Sequence, residues 1–329
     1  MNRERKKWKK EWQKEYRKQQ KKNMVKYKGW GYFFVAPFML GFIICTLIPQ
    51  LMTFGNSFFE NYKEGLNQIG PRFVFLKNYI EIFTPSNNGD ILVFKYLGNT
   101  VILWLLGVIP QFLFAFVLAL IFTHRRIQIK GKKFFITVIY MPNMIMASAF
   151  SMLFFSLFSN IGPINQIITA FAGDGAKIDF FSRTVTVYFM IALMNFLLGV
   201  GSTTILIMSG IMSIHQSVFE AAIIDGASTF KTFLHVTLPM IKPVLLYCLI
   251  TSMITGLQMF DVPQILTNGI GTPNYSSKTL VMWLNSYLGT SKNYGMSGAI
   301  SVVMFIITAA LGIIVYKSTI RKGEKAEWN

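Results

Sequence analysis

Acidic residues are scarce in this chain: 14 Asp and Glu stand against 32 Lys and Arg in 329 residues. Only 14% of positions are charged, where a soluble domain carries about 25%, so water is not the bulk solvent for most of this sequence. Histidine and cysteine are also rare. The three histidines, His124, His215 and His235, fall at or beyond the ends of apolar runs, and no HExxH or Cys/His cluster joins them into a metal site. Cys45 and Cys248 lie inside apolar runs without ligating neighbours and read as small apolar fillers. No GxSxG nucleophile elbow occurs. The stretch nearest to a phosphate loop, Gly271 to Thr279 (GTPNYSSKT), lacks the second glycine. A catalytic reading therefore has no converging nucleophile, base or metal set to stand on.

What the sequence has instead is apolar length. Hydrophobic residues make up 53% of the chain and the mean hydropathy is +0.45. Runs of roughly 20 apolar residues can each cross a bilayer as a helix, and six are predicted at about 31–53, 96–123, 134–158, 184–212, 243–262 and 296–318. These runs are continuously apolar and do not alternate, which argues against a β-barrel. The fold expected is an all-α integral membrane protein of six transmembrane helices.

Positive residues set the orientation. With both termini cytoplasmic, 24 Lys and Arg fall on the inner side and eight on the outer, a strong positive-inside bias. About 29 polar residues precede the first apolar run, which is not the pattern of a cleavable signal peptide. The organisation expected is a basic cytoplasmic tail over 1–29, a six-helix domain over 30–320 with a cytoplasmic loop at 213–242, and a short cytoplasmic tail over 321–329. In the first tail Trp8, Trp12 and Tyr16 recur every four residues among lysines, so a helix would align them on one side. That suits an orientation-setting tail or a helix on anionic lipid; no nucleic-acid-binding motif accompanies the charge.

One stretch concentrates polar signals between apolar runs: EAAIIDGASTFKTFLHVTLPMIKP, Glu220 to Pro243. Small alanines permit close approach of another surface, and Gly226 bends the backbone at little steric cost. Ser228 or Thr229 can cap a second short helix, and Pro239 is expected to end it. Pro243 sits near the start of the next span, where a missing N–H matters least. A helix–bend–helix elbow results, although a plain return turn between two spans fits the same physics.

The stretch resembles the cytoplasmic signature loop of permease subunits in binding-protein-dependent ABC importers, a pattern of the type EAAxxDGAxxxxxFxxIxLPxxxP. Glu220, Ala221, Ala222, Asp225, Gly226, Ala227, Phe233, Leu238, Pro239 and Pro243 match it. Asn99-Thr100, Tyr140-Met141-Pro142-Asn143 and LTNGIGTPNYSSKTLVMWLNSYL resemble the carbohydrate branch of that family, the relatives of maltose and glycerol-phosphate permeases. The resemblance spans roughly residues 30–320. The chain departs from the pattern at Ile214-His215, where the family commonly has Ile-Pro, and at the displaced glycine of Asn268 to Pro273.

The resemblance implies a type I ABC importer permease fold in a bacterial plasma membrane. It implies a second permease subunit, a cytoplasmic ABC ATPase dimer and an extracellular solute-binding protein as partners. ATP and Mg would be bound by the ATPase, with no cofactor on this chain. Glu220, Ala221, Ala222, Asp225, Gly226 and Ala227 would dock the ATPase. Polar groups inside spans are costly and often functional; matched by position, Asn195, Gly199, Ser252 and Gly256 become the candidate substrate pathway, with helix–helix packing as the competing role. Asp261 reads as a gate or packing contact. The cargo expected is a mono- or oligosaccharide. A polyol or sugar phosphate is the alternative, and a membrane-embedded enzyme or an ion channel are the readings from other classes.

Overall fold

The computed structural model describes residues 8, 12, 15, 16, 29–87, 89–124, 129–289 and 292–324. Most of the basic tail and the end of the C-terminal tail lie outside these residues. Within the tail Trp8, Trp12, Glu15 and Tyr16 are helical, and Trp12 and Tyr16 stack at 5.2 Å between ring centroids. Six helical segments are long and apolar enough to cross a membrane: Trp30–Asn56, Leu92–Thr123, Ala147–Ala172, Thr184–Met212, Lys242–Leu266 and Tyr294–Lys317. The chain is a multi-pass, mostly helical membrane protein that forms two compact units, 1–53 and 54–329.

The first unit contains α1 (Trp30–Phe42), which runs through a π turn at Ile43–Leu47 into α2 (Ile48–Asn56), whose last three residues fall past the unit's end. None of these helical residues is buried. The π turn ends two residues before Pro49, whose ring cannot accept an ordinary helical neighbour at its preceding turn.

The second unit opens with a feature the apolar runs did not announce, an antiparallel hairpin of β1 (Phe59–Glu64) and β2 (Asn67–Phe73). Buried Asn78 of α3 (Lys77–Phe83) donates to the carbonyls of Ser57 and Phe59, at 2.8 and 3.0 Å, and so ties the hairpin to the bundle. The spans follow. They comprise α4 (Leu92–Thr123), α5 (Lys132–Tyr140), α6 (Ala147–Phe158), α7 (Pro163–Ala172) and α8 (Thr184–Met212). The elbow holds α9 (Gln216–Ile224), α10 (Thr229–Thr232) and α11 (Leu238–Met240). Then come α12 (Lys242–Leu257), α13 (Asp261–Leu266), α14 (Leu280–Gly289) and α15 (Tyr294–Glu324).

The apolar run expected at 134–158 is broken. Its first part is α5, a 3₁₀ turn follows at Met141–Met144, and α6 starts only at Ala147. Pro142 explains the break, because it removes an amide donor and cannot sit inside an α-helix without a clash. The 139–140 backbone there lies so close to α8 that a side chain at Gly201 would meet it.

Three buried clusters succeed one another along α4. Val93 and Tyr96 join Trp283, Met296 and Ile300; Leu103 joins Met190, Ile191 and Met194; Ala115, Ala119 and Phe122 join Ile207, Met208 and Ile241. α8 is the most buried span, and α4 and α8 are the pair around which the bundle packs.

Candidate functional site

A cavity of about 510 Å³ opens between α4, α8 and α12, within the size range of small-ligand sites. Helical spacing explains its wall. Trp104, Val108 and Gln111 recur at four and three residues on one face of α4; Asn195, Gly199, Ser202 and Leu206 do so on α8. Cys248, Thr251, Ser252 and Thr255 supply the face of α12, and Asn143 enters from the 3₁₀ turn. Met259, Phe260 and Asp261 line the segment after α12.

All four nominated pathway residues, Asn195, Gly199, Ser252 and Gly256, therefore line one cavity. Their local roles differ. A Cβ at Gly199 would come within 2.5 Å of the Gln111 amide, and one at Gly256 would run into the Trp104 ring. The two glycines are seats for neighbouring side chains. Trp104 is held in its seat by its Nε1–H, which donates to Ser252 Oγ at 3.1 Å. Gln111 donates to Thr203 Oγ1 at 2.7 Å. Among the described residues Asn195 Nδ2 reaches the sulfur of Met259, at 3.5 Å, and Asn143 Nδ2 donates to the Leu198 carbonyl at 2.8 Å.

Trp104, Gln111 and Asn143 are among the polar wall residues that the sequence reading did not nominate. A signal existed for the first two: an indole and an amide inside a 32-residue apolar helix, the amide directly after Pro110. Asn143 was visible only as part of a motif.

The segment 267–279 is fastened at one end of this cavity. Asn99 Nδ2 donates to the carbonyls of Tyr275 and Lys278, at 3.0 and 3.2 Å, and the Leu280 amide donates to Thr100 Oγ1. Thr279 Oγ1 donates to the carbonyl of wall residue Met259 at 2.8 Å. Tyr188 donates to the Ser276 carbonyl. Asn99-Thr100 thus acts as a clasp for this loop. Lys278 lies 5.5 Å from the Tyr96 ring centroid and 5.6 Å from that of Tyr275. Burial there pushes its ammonium below the usual lysine range.

The elbow is a different kind of site. His215 caps α9, its ring accepting from the Ser217 amide, in the position where proline is common in the pattern. α9 closes with a paired turn: the Gly226 amide donates to Ile223 O at 3.0 Å and the Ala227 amide to Ala222 O at 2.9 Å. This is the Schellman arrangement, which needs a left-handed residue at its corner, and Gly226 has φ 71°. Ser228 caps α10 through the Lys231 amide.

Pro239 does not end the second elbow helix. α10 passes through a π turn at Phe233–Thr237 into α11, which contains Pro239, and the chain breaks only at Ile241. As at Pro49, the wider turn two residues earlier makes room for the ring. Pro243 sits in the first turn of α12.

Glu220, Ala221, Asp225 and Gly226 are exposed, as are Ile223 and Ile224, whereas Ala222 is buried. Gln216 Nε2 donates to Glu220 Oε1 at 2.6 Å and holds the carboxylate in place. The other side of α9 is anchored: Val218 and Phe219 pack on the cluster that contains Ala115, Ala119 and Ile207. Phe233 meets Phe116 of α4 edge-on at 5.5 Å.

Comparison with known proteins places this architecture. The model of the binding-protein-dependent transport system inner membrane component matches residues 100–319. The chain is 27% identical over 290 residues to the probable ABC transporter permease protein YesP of Bacillus subtilis (strain 168), spanning 88% of this chain and 90% of that one. It is 27% identical over 287 residues to the lactose transport system permease protein LacF of Rhizobium radiobacter, spanning 87% and 92%. With the trehalose/maltose transport system permease protein MalF of Thermococcus litoralis it shares 26% over 294 residues, again 87% and 92%. Its fold matches a chain in the crystal structure of a bacterial ABC transporter involved in the import of the acidic polysaccharide alginate. The TM-score is 0.70 at 19% identity, over 88% of this chain and 94% of that one.

Proposed function

Because the chain belongs to the inner membrane components of binding-protein-dependent transport systems, we propose that it is the permease subunit of an ATP-driven saccharide importer in a bacterial plasma membrane. The observation that carries the saccharide reading is the cavity. It combines an indole, amides and hydroxyls inside apolar spans, the mixture that a ligand with hydroxyls and apolar ring faces requires. The lactose and trehalose/maltose permeases among its relatives support the same class of cargo.

In this reading both termini are cytoplasmic, and the elbow faces a separate ABC ATPase dimer that binds ATP and Mg. Glu220, Ala221, Asp225 and Gly226 form the exposed docking face, half-buried Ala227 allows the close fit, buried Ala222 packs α9 onto the chain itself, and Ile223 and Ile224 fill an apolar groove of the ATPase. A solute-binding protein delivers cargo at the opposite end, and a second permease completes the pathway. Closure of the ATPase dimer displaces α9. Because α9 is anchored to the α4–α8 cluster through Val218 and Phe219, and α10 leads into Phe233 against Phe116, the displacement reaches the two helices that line the cavity. Asn195, Gly199, Ser252 and Gly256 then shape the passage as it opens alternately to either side.

The test is uptake. The chain is reconstituted in liposomes with its partner permease, ATPase and binding protein, and a panel of labelled saccharides is supplied with ATP. ATP-dependent accumulation of a saccharide is expected. Accumulation of a different class of solute, with no saccharide moved, would overturn the cargo assignment.

A further inference from the structure

The basic N-terminal tail belongs neither to the elbow nor to the cavity. We propose that it is a membrane-surface anchor, in which the helical aromatic side formed by Trp8, Trp12 and Tyr16 lies in the headgroup layer of an anionic inner leaflet. The proposal rests on the cytoplasmic placement of the N-terminus and is independent of the cargo.

The described residues of the tail carry the geometry. Trp8, Trp12, Glu15 and Tyr16 are helical, and at four-residue spacing the three rings fall on one side, each turned about 40° from the last. The rings are exposed, at 66%, 53% and 51% of their surface. Trp12 and Tyr16 stack at 5.2 Å with their planes 16° apart. Three large rings held open to water are costly unless a partner covers them.

Charge identifies the partner. Residues 1–28 hold 13 Lys and Arg against three Glu, and Lys9, Lys10, Lys14, Arg17 and Lys18 stand between the rings or directly after them in the chain. A basic segment beside a membrane is drawn to anionic headgroups. Trp and Tyr are the side chains that settle at that level, because each has an apolar body and a polar N–H or O–H tip.

Tethering favours lipid further. The first span begins at Trp30, and the 13 residues between it and Tyr16 reach at most about 50 Å. The bilayer surface is therefore always within range at a high effective concentration, so a weak surface affinity suffices. Nucleic acid meets the same charge but fits the rings poorly. Bases stack on open aromatic faces, whereas Trp12 and Tyr16 each spend one face on the other.

The test uses the full-length chain in nanodiscs, whose two faces are both open, so that orientation does not enter. Glu15→Cys is made in a chain with Cys45→Ala and Cys248→Ala and given a nitroxide spin label. The label's collision rate with oxygen, which concentrates in lipid, is divided by its rate with a water-soluble nickel chelate. With about one-third phosphatidylglycerol in phosphatidylcholine the ratio is expected to rise at least about threefold over pure phosphatidylcholine. Salt at about 1 M shortens the Debye length to about 3 Å and should reverse the rise. Trp8→Ser, Trp12→Ser and Tyr16→Ser together should also abolish it, as should Lys9→Gln, Lys10→Gln, Lys14→Gln and Arg17→Gln together. Both sets lie outside the spans, and the amount of chain in the discs should not change.

An equal ratio in the two bilayers, whether the label is wet or buried, overturns the proposal, and so does a rise that survives either set of substitutions. Loss of the rise on adding an equimolar single-stranded RNA would give the tail to nucleic acid instead. In sealed cells an impermeant thiol reagent should leave Glu15→Cys unmodified until the membrane is permeabilised. Modification beforehand would overturn the cytoplasmic placement, and with it the inner-leaflet assignment, whatever the nanodiscs show.

Discussion

The elbow and the cavity are built in opposite ways. The elbow is contiguous: its caps, its left-handed corner and its proposed docking face all come from residues 215–240, and the bonds that cap α9 and shape its exit are local. The cavity is assembled from α4, α8, α12 and a broken turn, with partners such as Trp104 and Ser252 separated by 148 positions. The elbow is exposed and presents its charge to another chain; the wall ties polar side chains to one another across helices. A surface that docks must keep groups unspent, whereas a cavity within spans must satisfy its polar groups or leave them for a ligand.

Breaking the elbow should have the larger effect. Glu220→Lys reverses the charge on an exposed face that Gln216 holds in place. Uptake should fall at least about a hundredfold, since a docking contact with a reversed charge costs more than about 3 kcal/mol. Insertion and the amount of chain in the membrane should not change. Normal uptake would remove Glu220 from the docking face.

Next in size comes Gly256→Ala, which forces a methyl into the rigid Trp104 ring. A loss of about tenfold or more in uptake is expected, with reduced thermal stability of the purified assembly, as overpacking typically costs about 1–3 kcal/mol. Gly199→Ala meets only the end of the flexible Gln111 side chain and should cost clearly less, about twofold. An effect of Gly199→Ala equal to that of Gly256→Ala would contradict the seat roles assigned to the two glycines.

Asn195→Ala removes an amide whose N–H, among the described residues, meets a sulfur at 3.5 Å. The substrate concentration for half-maximal transport should rise about five- to tenfold, in line with one net hydrogen bond of about 1 kcal/mol, while the assembly stays intact. An unchanged concentration dependence would assign the contacts to the partner permease. The smallest effect is expected from Gly226→Ala, which strains a left-handed corner where nothing lies within 4 Å. A loss of about 1 kcal/mol in stability and a modest loss of uptake should show in thermal unfolding and transport assays.

The same contrast explains what the sequence made legible. The six spans and the elbow were readable because they rest on local pattern: apolar length, a glycine corner, capping residues and prolines. Glu220 to Pro243 carries the family resemblance and the helix–bend–helix form in one stretch. The π turns before Pro49 and Pro239 were missed, because a proline in a pattern says that an ordinary helical bond is lost, not whether the helix ends or widens. The third apolar run was drawn as one helix because hydropathy does not register Pro142. The hairpin at 59–73 lies in a segment recognised only as polar. For the cavity, helical spacing grouped residues within α8 and within α12, but nothing local showed that Gly199 faces Gln111 or that Gly256 faces Trp104. Those pairings depend on how α4 packs, which no single stretch contains.

The central claim is that this permease is driven through its elbow by a separate ATPase. The most direct measurement is a mild-detergent purification of the tagged wild-type chain and of Glu220→Lys side by side, with every co-purifying protein identified. The account predicts a second six-span permease with both chains and an ABC ATPase with the wild type alone. An ATPase retained equally by both chains, or absent from the wild type even after crosslinking, would contradict it.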